Sequence, residues 1–253
     1  MTEALKYRRI SGPEDRAWSA FMRLYRQTFS EGQRERERAI ADNLDRQDDR
    51  REGGHLLLMA EDVAGRCVGG AIFSYLPSIN SGYISYLFVM AQLRSRGIGR
   101  RLLREIRRVL NEKSRRLGRF PVSAVFAELE KENARHEDTY RRLAFWARNG
   151  VRPLAVAWEY PPLHKGEPPV PMYLAVGLYG KPRGWLTRET IARAAQAIFD
   201  ATYAYLPAAP ATLRRIAASL HAVGPMDVIP YVDLAAVIGQ SARGNARARS
   251  APL

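Results

Sequence analysis

The 253-residue sequence predicts an α/β (α+β) fold, a central sheet flanked by helices with a small C-terminal helical extension. Three observations carry this expectation. Apolar runs of strand length recur between His55 and Tyr179, amphipathic helical stretches alternate with them, and the texture becomes Ala-rich helix after Gly180. On that division residues 1–180 form one domain, 181–240 an extension, and 241–253 a flexible Ala/Arg/Gly tail.

Residues 5–10 read as a short first strand. A helix follows, with Ser11 or Gly12 at its cap, Pro13 in the first turn, and Glu14 and Asp15 where the helix dipole favours acids. Trp18, Phe21, Met22, Tyr25 and Phe29 recur at helical spacing and form its buried face. A second, strongly charged helix is expected over 33–47, ended by Gly53-Gly54. From His55 the period changes: "HLLLMAED" and "CVGGAIFSYL" flank Val63–Arg66 as a hairpin, and "GYISYLFVM" (82–90) is the third strand run of this stretch.

Residues 100–117 form an amphipathic helix with Leu102, Leu103, Ile106, Val109, Leu110 and Leu117 on one face and arginines on the other. Gly118 ends it. "VSAVFAELE" (122–130) is a strand, and a helix over 134–149 stops at Asn149-Gly150. "LAVAWEY" and "PMYLAVGLY" are two last strands joined by the Pro-rich loop 161–171. In the extension, apolar positions fall at 191, 195, 198, 202 and 205, and again at 213, 216, 217 and 220, with Pro207 and Pro210 between. Two short helices cannot bury such stripes alone. They must cap the sheet, cover a cleft, or pair with a second chain as a homodimer.

Composition narrows the function classes. No stretch approaches the roughly 18 uninterrupted apolar residues a membrane span needs, and the N-terminus lacks a secretory apolar core. A cytoplasmic protein without a membrane partner is expected. The single Cys67 excludes an internal disulfide and a thiolate metal cluster, and its place beside Gly69-Gly70 suits a buried structural cysteine. His55 and His164 have no partner at metal or triad spacing, so no metal is expected. Net charge is +14, almost all of it arginine. Over 34–52 the arginines alternate with acids, and no aromatic–basic interleaving of the kind that stacks bases is present. Nucleic acid is therefore not the expected partner.

The loop "RSRGIG" (94–99) joins the strand run 82–90 to the basic helix. With no side chain at Gly97 or Gly99, backbone amides can approach an anion closely, and the helix N-terminus adds free N–H groups and a positive dipole end. A dinucleotide loop is disfavoured because Leu102 stands where its third glycine would be, and Arg100-Arg101 replace the Lys-Ser/Thr ending of a P-loop.

The segment "YLFVMAQLRSRGIGRRLLREI" resembles the acetyl-CoA-binding motif of the GNAT superfamily of N-acetyltransferases, with Val89, Arg94, Gly97, Ile98 and Gly99 on the motif. Ala91 stands for a frequent proline and Ser95 for a frequent glycine, and neither change removes a backbone donor. The order of elements over 5–180 is also similar, which implies a mixed, mostly antiparallel sheet. The resemblance implies acetyl-CoA as co-substrate and a primary amine, of a small molecule or a protein, as acceptor. It places the CoA pyrophosphate on the amides of Arg94, Ser95, Arg96, Gly97, Ile98, Gly99 and Arg100. The pantetheine arm falls on the main chain of Leu87, Phe88 and Val89. Arg96, Arg100 and Arg101 either add charge for the phosphates or form a solvated helix face.

"AELEKEN" (127–133) resembles the segment of that family that supplies an acid, at Glu128, and a CoA-arm contact, at Asn133. Glu128, Glu130 and Glu132 share a strand face. They are either solvated carboxylates or, at Glu128, a partly desolvated base that takes the amine proton. For the tyrosine that protonates the CoA thiolate, two registers compete. Counting from Asn133 selects Tyr140; counting back from Asn149-Gly150 selects Trp146, a donor with no usable acidity. The loop 161–171 is where the family builds part of its acceptor pocket. A non-catalytic acyl-CoA-binding or interaction module on the same fold is the alternative.

Overall fold

The computed structural model describes residues 4–44, 53–133, 136–164, 166–224 and 227–237. The first strand, β1 (Lys6–Ile10), precedes helix α1 (Trp18–Thr28) and the short α2 (Glu37–Asp42). Strands β2 (His55–Glu61), β3 (Cys67–Leu76) and β4 (Ser81–Val89) lead into α3 (Ile98–Arg116). Then come β5 (Ala124–Glu130), α4 (Glu137–Arg148), β6 (Arg152–Pro153), β7 (Trp158–Tyr160) and β8 (Val170–Leu178). The last helices are α5 (Arg188–Ile198), which continues as a π-helical turn over Phe199–Tyr203, and α6 (Ala209–Leu220).

The eight strands form one sheet in the order β1-β2-β3-β4-β5-β8-β6, with β7 also pairing β8. All pairings are antiparallel except β4 with β5. The α3 crossover makes that one parallel step possible, because parallel neighbours need a long connection. This is the mixed, mostly antiparallel sheet expected from the sequence.

One face of the sheet packs on α3 and α4. Leu102, Ile106, Val109 and Leu110 meet Ala71, Phe73, Ile84 and Val125 there. The opposite face is covered in two parts. Phe21, Met22 and Tyr25 of α1 cover Leu57, Met59, Ile72 and Phe88. Ile191, Ile198, Ile216 and Leu220 of the extension cover Phe126, Leu174 and Val176. The extension therefore buries its stripes against β5 and β8. Burying side chains of this size contributes roughly 1.5–3 kcal/mol each.

Several local expectations change. The first helix starts at Trp18 rather than near Ser11, because the Asp15 carboxylate accepts the Ala17 N–H at 2.9 Å and an Arg8 guanidinium bond, tying 11–17 into a turn. The charged helix expected over 33–47 is confined to Glu37–Asp42, and 45–52 lie outside the described residues, as does the 241–253 tail. Leu117 is exposed instead of buried, since α3 ends at Arg116 and Gly118 turns the chain with φ +69°. "LAVAWEY" is extended only at its end, over Trp158–Tyr160. In α6 the buried stripe runs through Thr212, Ile216 and Leu220, which leaves Ala217 exposed.

Candidate active site

The site begins with an interruption in β4. Gly82, Tyr83 and Ile84 pair with Val125, Phe126 and Ala127 of β5, and there the parallel ladder stops. At the same point Ile72 pairs with Tyr86 while Phe73 pairs with Ile84, which leaves Ser85 as an extra residue in β4. Such a bulge bends its strand and shifts the side-chain phase by one. Tyr83, Tyr86 and Phe88 consequently share the face under α1 and the extension, while Ile84, Leu87 and Val89 share the α3 face. Beyond the bulge, Tyr86–Val89 pairs only with β3, and Glu128–Glu130 only with β8, among the described residues. Among the described residues no strand pairing spans the gap between these two edges.

The glycine loop leaves β4 at the open end of the gap. A 3₁₀ turn over Ala91–Leu93 precedes extended Arg94. Ser95 and Gly97 then take left-handed conformations, φ +63° and +77°. Gly97 is the N-cap of α3, whose first internal bond runs from the Arg101 N–H to the Gly97 carbonyl at 3.1 Å. The amides of Ile98, Gly99 and Arg100 precede that bond and have no partner in the helix.

The two glycines serve different ends. A side chain at Gly97 would meet nothing within 4 Å, so this position requires the backbone conformation and leaves the amides open. A Cβ at Gly99 would lie 3.0 Å from the Phe145 ring, so Gly99 also permits α3 to approach α4. Ile98 is buried beneath the helix, whereas Arg94, Arg96 and Arg100 are exposed. The Arg94 Nε reaches the Val89 carbonyl at 3.4 Å.

Glu128 stands at the fork of the gap, one residue past the last β4–β5 pair. Trp158 Nε1 donates to its Oε1 at 2.6 Å, Tyr83 donates to Oε2 at 2.8 Å, and Tyr203 of the π-helical turn also donates to Oε2. These partners are themselves buried, while Glu128 keeps part of its surface accessible. The carboxylate is thus enclosed by aromatic side chains at the bottom of an opening. Desolvation holds its pKa above the ordinary value; the bonds from Tyr203, Trp158 and Tyr83 oppose that rise and the charge of Glu35 adds to it. The other two acids do not converge on it. Glu130 pairs with Arg142 and Gln33, and Glu132 accepts from Tyr173 at 2.8 Å.

A second acidic centre was not legible in the sequence. Glu35, only 3 % exposed, lies 3.4 Å from Nε2 of His55, itself 1 % exposed, and accepts from the Tyr205 hydroxyl at 2.9 Å. His55, which has no partner at metal or triad spacing in the sequence, gains this one through the fold. Twenty residues separate the two in sequence; the His55 N–H bond to the Asn43 carbonyl at 2.6 Å and the Glu35 N–H bond to the Tyr86 hydroxyl at 3.1 Å hold their segments together, and no spacing rule could reveal it. Glu35 borders a cleft of about 560 Å³ between α2, the 161–164 segment and the π-helical turn, lined also by Asn43, Leu163, His164 and Asp200. His164 Nε2 meets the Glu31 carbonyl at 3.2 Å, so the proline-rich loop closes onto the α1–α2 connection.

Among the remaining candidates, Tyr140 is half-buried on α4, next to buried Thr139. Trp146 is buried in the core on the α3 face. The Asn133 N–H donates to Thr139 Oγ1 at 3.0 Å, which ties the end of β5 to the start of α4. Cys67 is buried, and burial pushes its thiol pKa up to about 11. Among the described residues no helix is long and apolar enough to cross a membrane.

A model of the acetyltransferase (GNAT) family matches residues 18–145, just over half of the chain, and the protein belongs to that family. Among solved structures, it is similar to a Bacteroides thetaiotaomicron protein assigned to GNAT acetyltransferases, with 16 % identity and a TM-score of 0.57 over 78 % of this chain and 98 % of the other. A GCN5-related N-acetyltransferase from Kribbella flavida shares 18 % identity and a TM-score of 0.46, covering 70 % and 98 %. Ard1 from Thermoplasma volcanium shares 16 % identity and a TM-score of 0.48, covering 70 % and 99 %. At 16 % identity the likeness to the Bacteroides protein shows the fold alone. No curated protein matches the chain.

Proposed function

We propose that this protein is an acetyl-CoA-dependent N-acetyltransferase that moves an acetyl group directly to a primary amine. The observation that carries this reading is the β4–β5 gap, with free helix-terminal amides at its mouth and an enclosed carboxylate at its fork. The amides of Arg94–Arg100 bind the pyrophosphate, where the α3 dipole favours negative charge. The unpaired edge over Leu87–Val89 pairs with the pantetheine arm as an added strand would. Asn133, at the far lip of the gap, contacts the same arm.

Acetyl-CoA supplies an activated thioester. An aliphatic amine titrates near ~10.4 and must lose a proton to attack it. Glu128 takes that proton, directly or through water. The new C–N bond forms as the C–S bond breaks, and Tyr140 returns a proton to the departing thiolate.

The second reading, a non-catalytic acyl-CoA-binding module, is favoured by one observation: buried Trp146 occupies one of the two registers in which the acid would stand. Mass spectrometry of an amine panel incubated with acetyl-CoA separates the two. Multiple-turnover acetylation of at least one amine is expected; CoA binding without any acetylated amine overturns the catalytic reading.

A further inference from the structure

The helical extension lies beyond the 18–145 region that matches the family model, yet it reaches the carboxylate at the fork of the gap. We infer that the extension completes the catalytic centre through Tyr203, a positioning residue whose hydroxyl holds the Glu128 carboxylate ionised and directs its Oε1 to the acceptor. This inference rests on Glu128 being the base.

The local backbone is built for this contact. Five residues along an ordinary α-helix stand roughly 140° apart, at about 100° per residue. Counted that way from buried Ile198, residue 203 would point away from the sheet. The π-helical winding of Phe199–Tyr203 brings it back, and Tyr203 is buried against Tyr160 and Phe199 with ring centroids 5.5 and 5.2 Å away. Single π turns inside α-helices recur at functional sites because they cost stability and place a particular side chain.

The hydrogen bonds then select one oxygen. Tyr83 and Tyr203 both reach Oε2, and their own hydroxyl oxygens are 2.9 Å apart, so two phenolic protons are shared among three close oxygens. Oε2 is saturated by this arrangement. Among the described residues Oε1 accepts from Trp158 Nε1 alone, so one of its two lone-pair directions stays open to an incoming proton. Burial and the neighbouring Glu128 charge keep the Tyr203 phenol protonated far above its ordinary pKa, so it acts as a permanent donor and does not supply the thiolate proton.

The test is the pH dependence of kcat/KM in the full-length enzyme. Tyr203→Phe removes a donor that favours the ionised carboxylate. The acidic limb should move up by about one pH unit, the scale of a hydrogen bond to a charged group, with the KM for acetyl-CoA unchanged. Site-specific 3-fluorotyrosine at 203 keeps ring and hydroxyl but strengthens the donor, and should move the limb down. This second variant decides the matter if Tyr203→Phe does not fold. A limb that stays in place in whichever variant folds overturns the inference, provided Glu128→Gln abolishes it. A limb that survives Glu128→Gln refutes Glu128 as base, and this inference with it.

Discussion

Trp158 donates its indole N–H to Glu128 at 2.6 Å, joining short strand β7 to the end of β5 where the sheet opens. The acid is therefore held from three directions by side chains that belong to β4, β7 and the extension. A carboxylate in this setting differs from one at a solvated strand end. Its geometry is fixed, and its pKa is set by a balance between burial and donors.

The loop geometry separates the roles of its residues. Gly97→Ala forces a side chain into a left-handed conformation, costing about 1 kcal/mol, and should weaken CoA binding. Gly99→Leu has to displace the Phe145 ring, and should lower stability by about 1–3 kcal/mol as well as weaken binding. Ser95→Gly relieves the strain of φ +63° and should stabilise the protein by about 1 kcal/mol with CoA affinity retained. Calorimetric titration with CoA, alongside thermal unfolding, checks all three. Unchanged CoA affinity in a folded Gly97/Gly99 double variant with bulky residues would sink the loop assignment.

The acid is tested on α4. Tyr140→Phe should lower turnover by about 10²-fold, the scale of general acid loss, with unaltered CoA affinity. Trp146→Phe should lower stability through lost core packing and leave turnover per folded molecule within a few-fold. Steady-state rates and urea unfolding on both variants distinguish them. The reverse pattern would remove Tyr140 from the mechanism.

How much of this was legible beforehand depended on the length scale of each signal. The amphipathic α3, the β2–β3 hairpin and the glycine loop are local patterns, and they appear at the expected places. The bulge at Ser85 leaves a trace in the sequence: aromatics at 83, 86 and 88 break a strict period of two, and a shared face then requires an extra residue. The Tyr203 contact had no such trace. A regular helix places the stripe at 198, 202 and 205, and the π turn shifts the register so that Tyr203 is buried while Tyr205 is 45 % exposed. Glu128 could be placed at a strand end, but its three donors come from segments 30 to 75 residues away.

The Glu35–His55 pair lies where both side chains are almost wholly out of water. Removing His55 takes one hydrogen-bond partner from a buried acid, so His55→Leu should cost about 1–3 kcal/mol of stability. Glu35→Gln keeps hydrogen-bonding capacity toward Tyr205 and His55 without the charge, and should cost less. Urea unfolding of both variants checks the order. Equal and small losses would mean that the pair is stabilised by packing alone.

The most direct test of the whole account is the rate of CoA thiol release by Glu128→Gln with a competent amine, measured from the ordinary carboxylate range up to about pH 9 beside calorimetric CoA affinity. The base must be ionised, and its pKa lies above the ordinary carboxylate value, so wild-type activity should fall as pH drops through that raised midpoint. The variant should lose about 10²-fold or more in turnover and its acidic limb, with CoA affinity intact. A loss of only a few-fold across the range, with the limb preserved, would contradict the assignment of Glu128 as the group that deprotonates the acceptor.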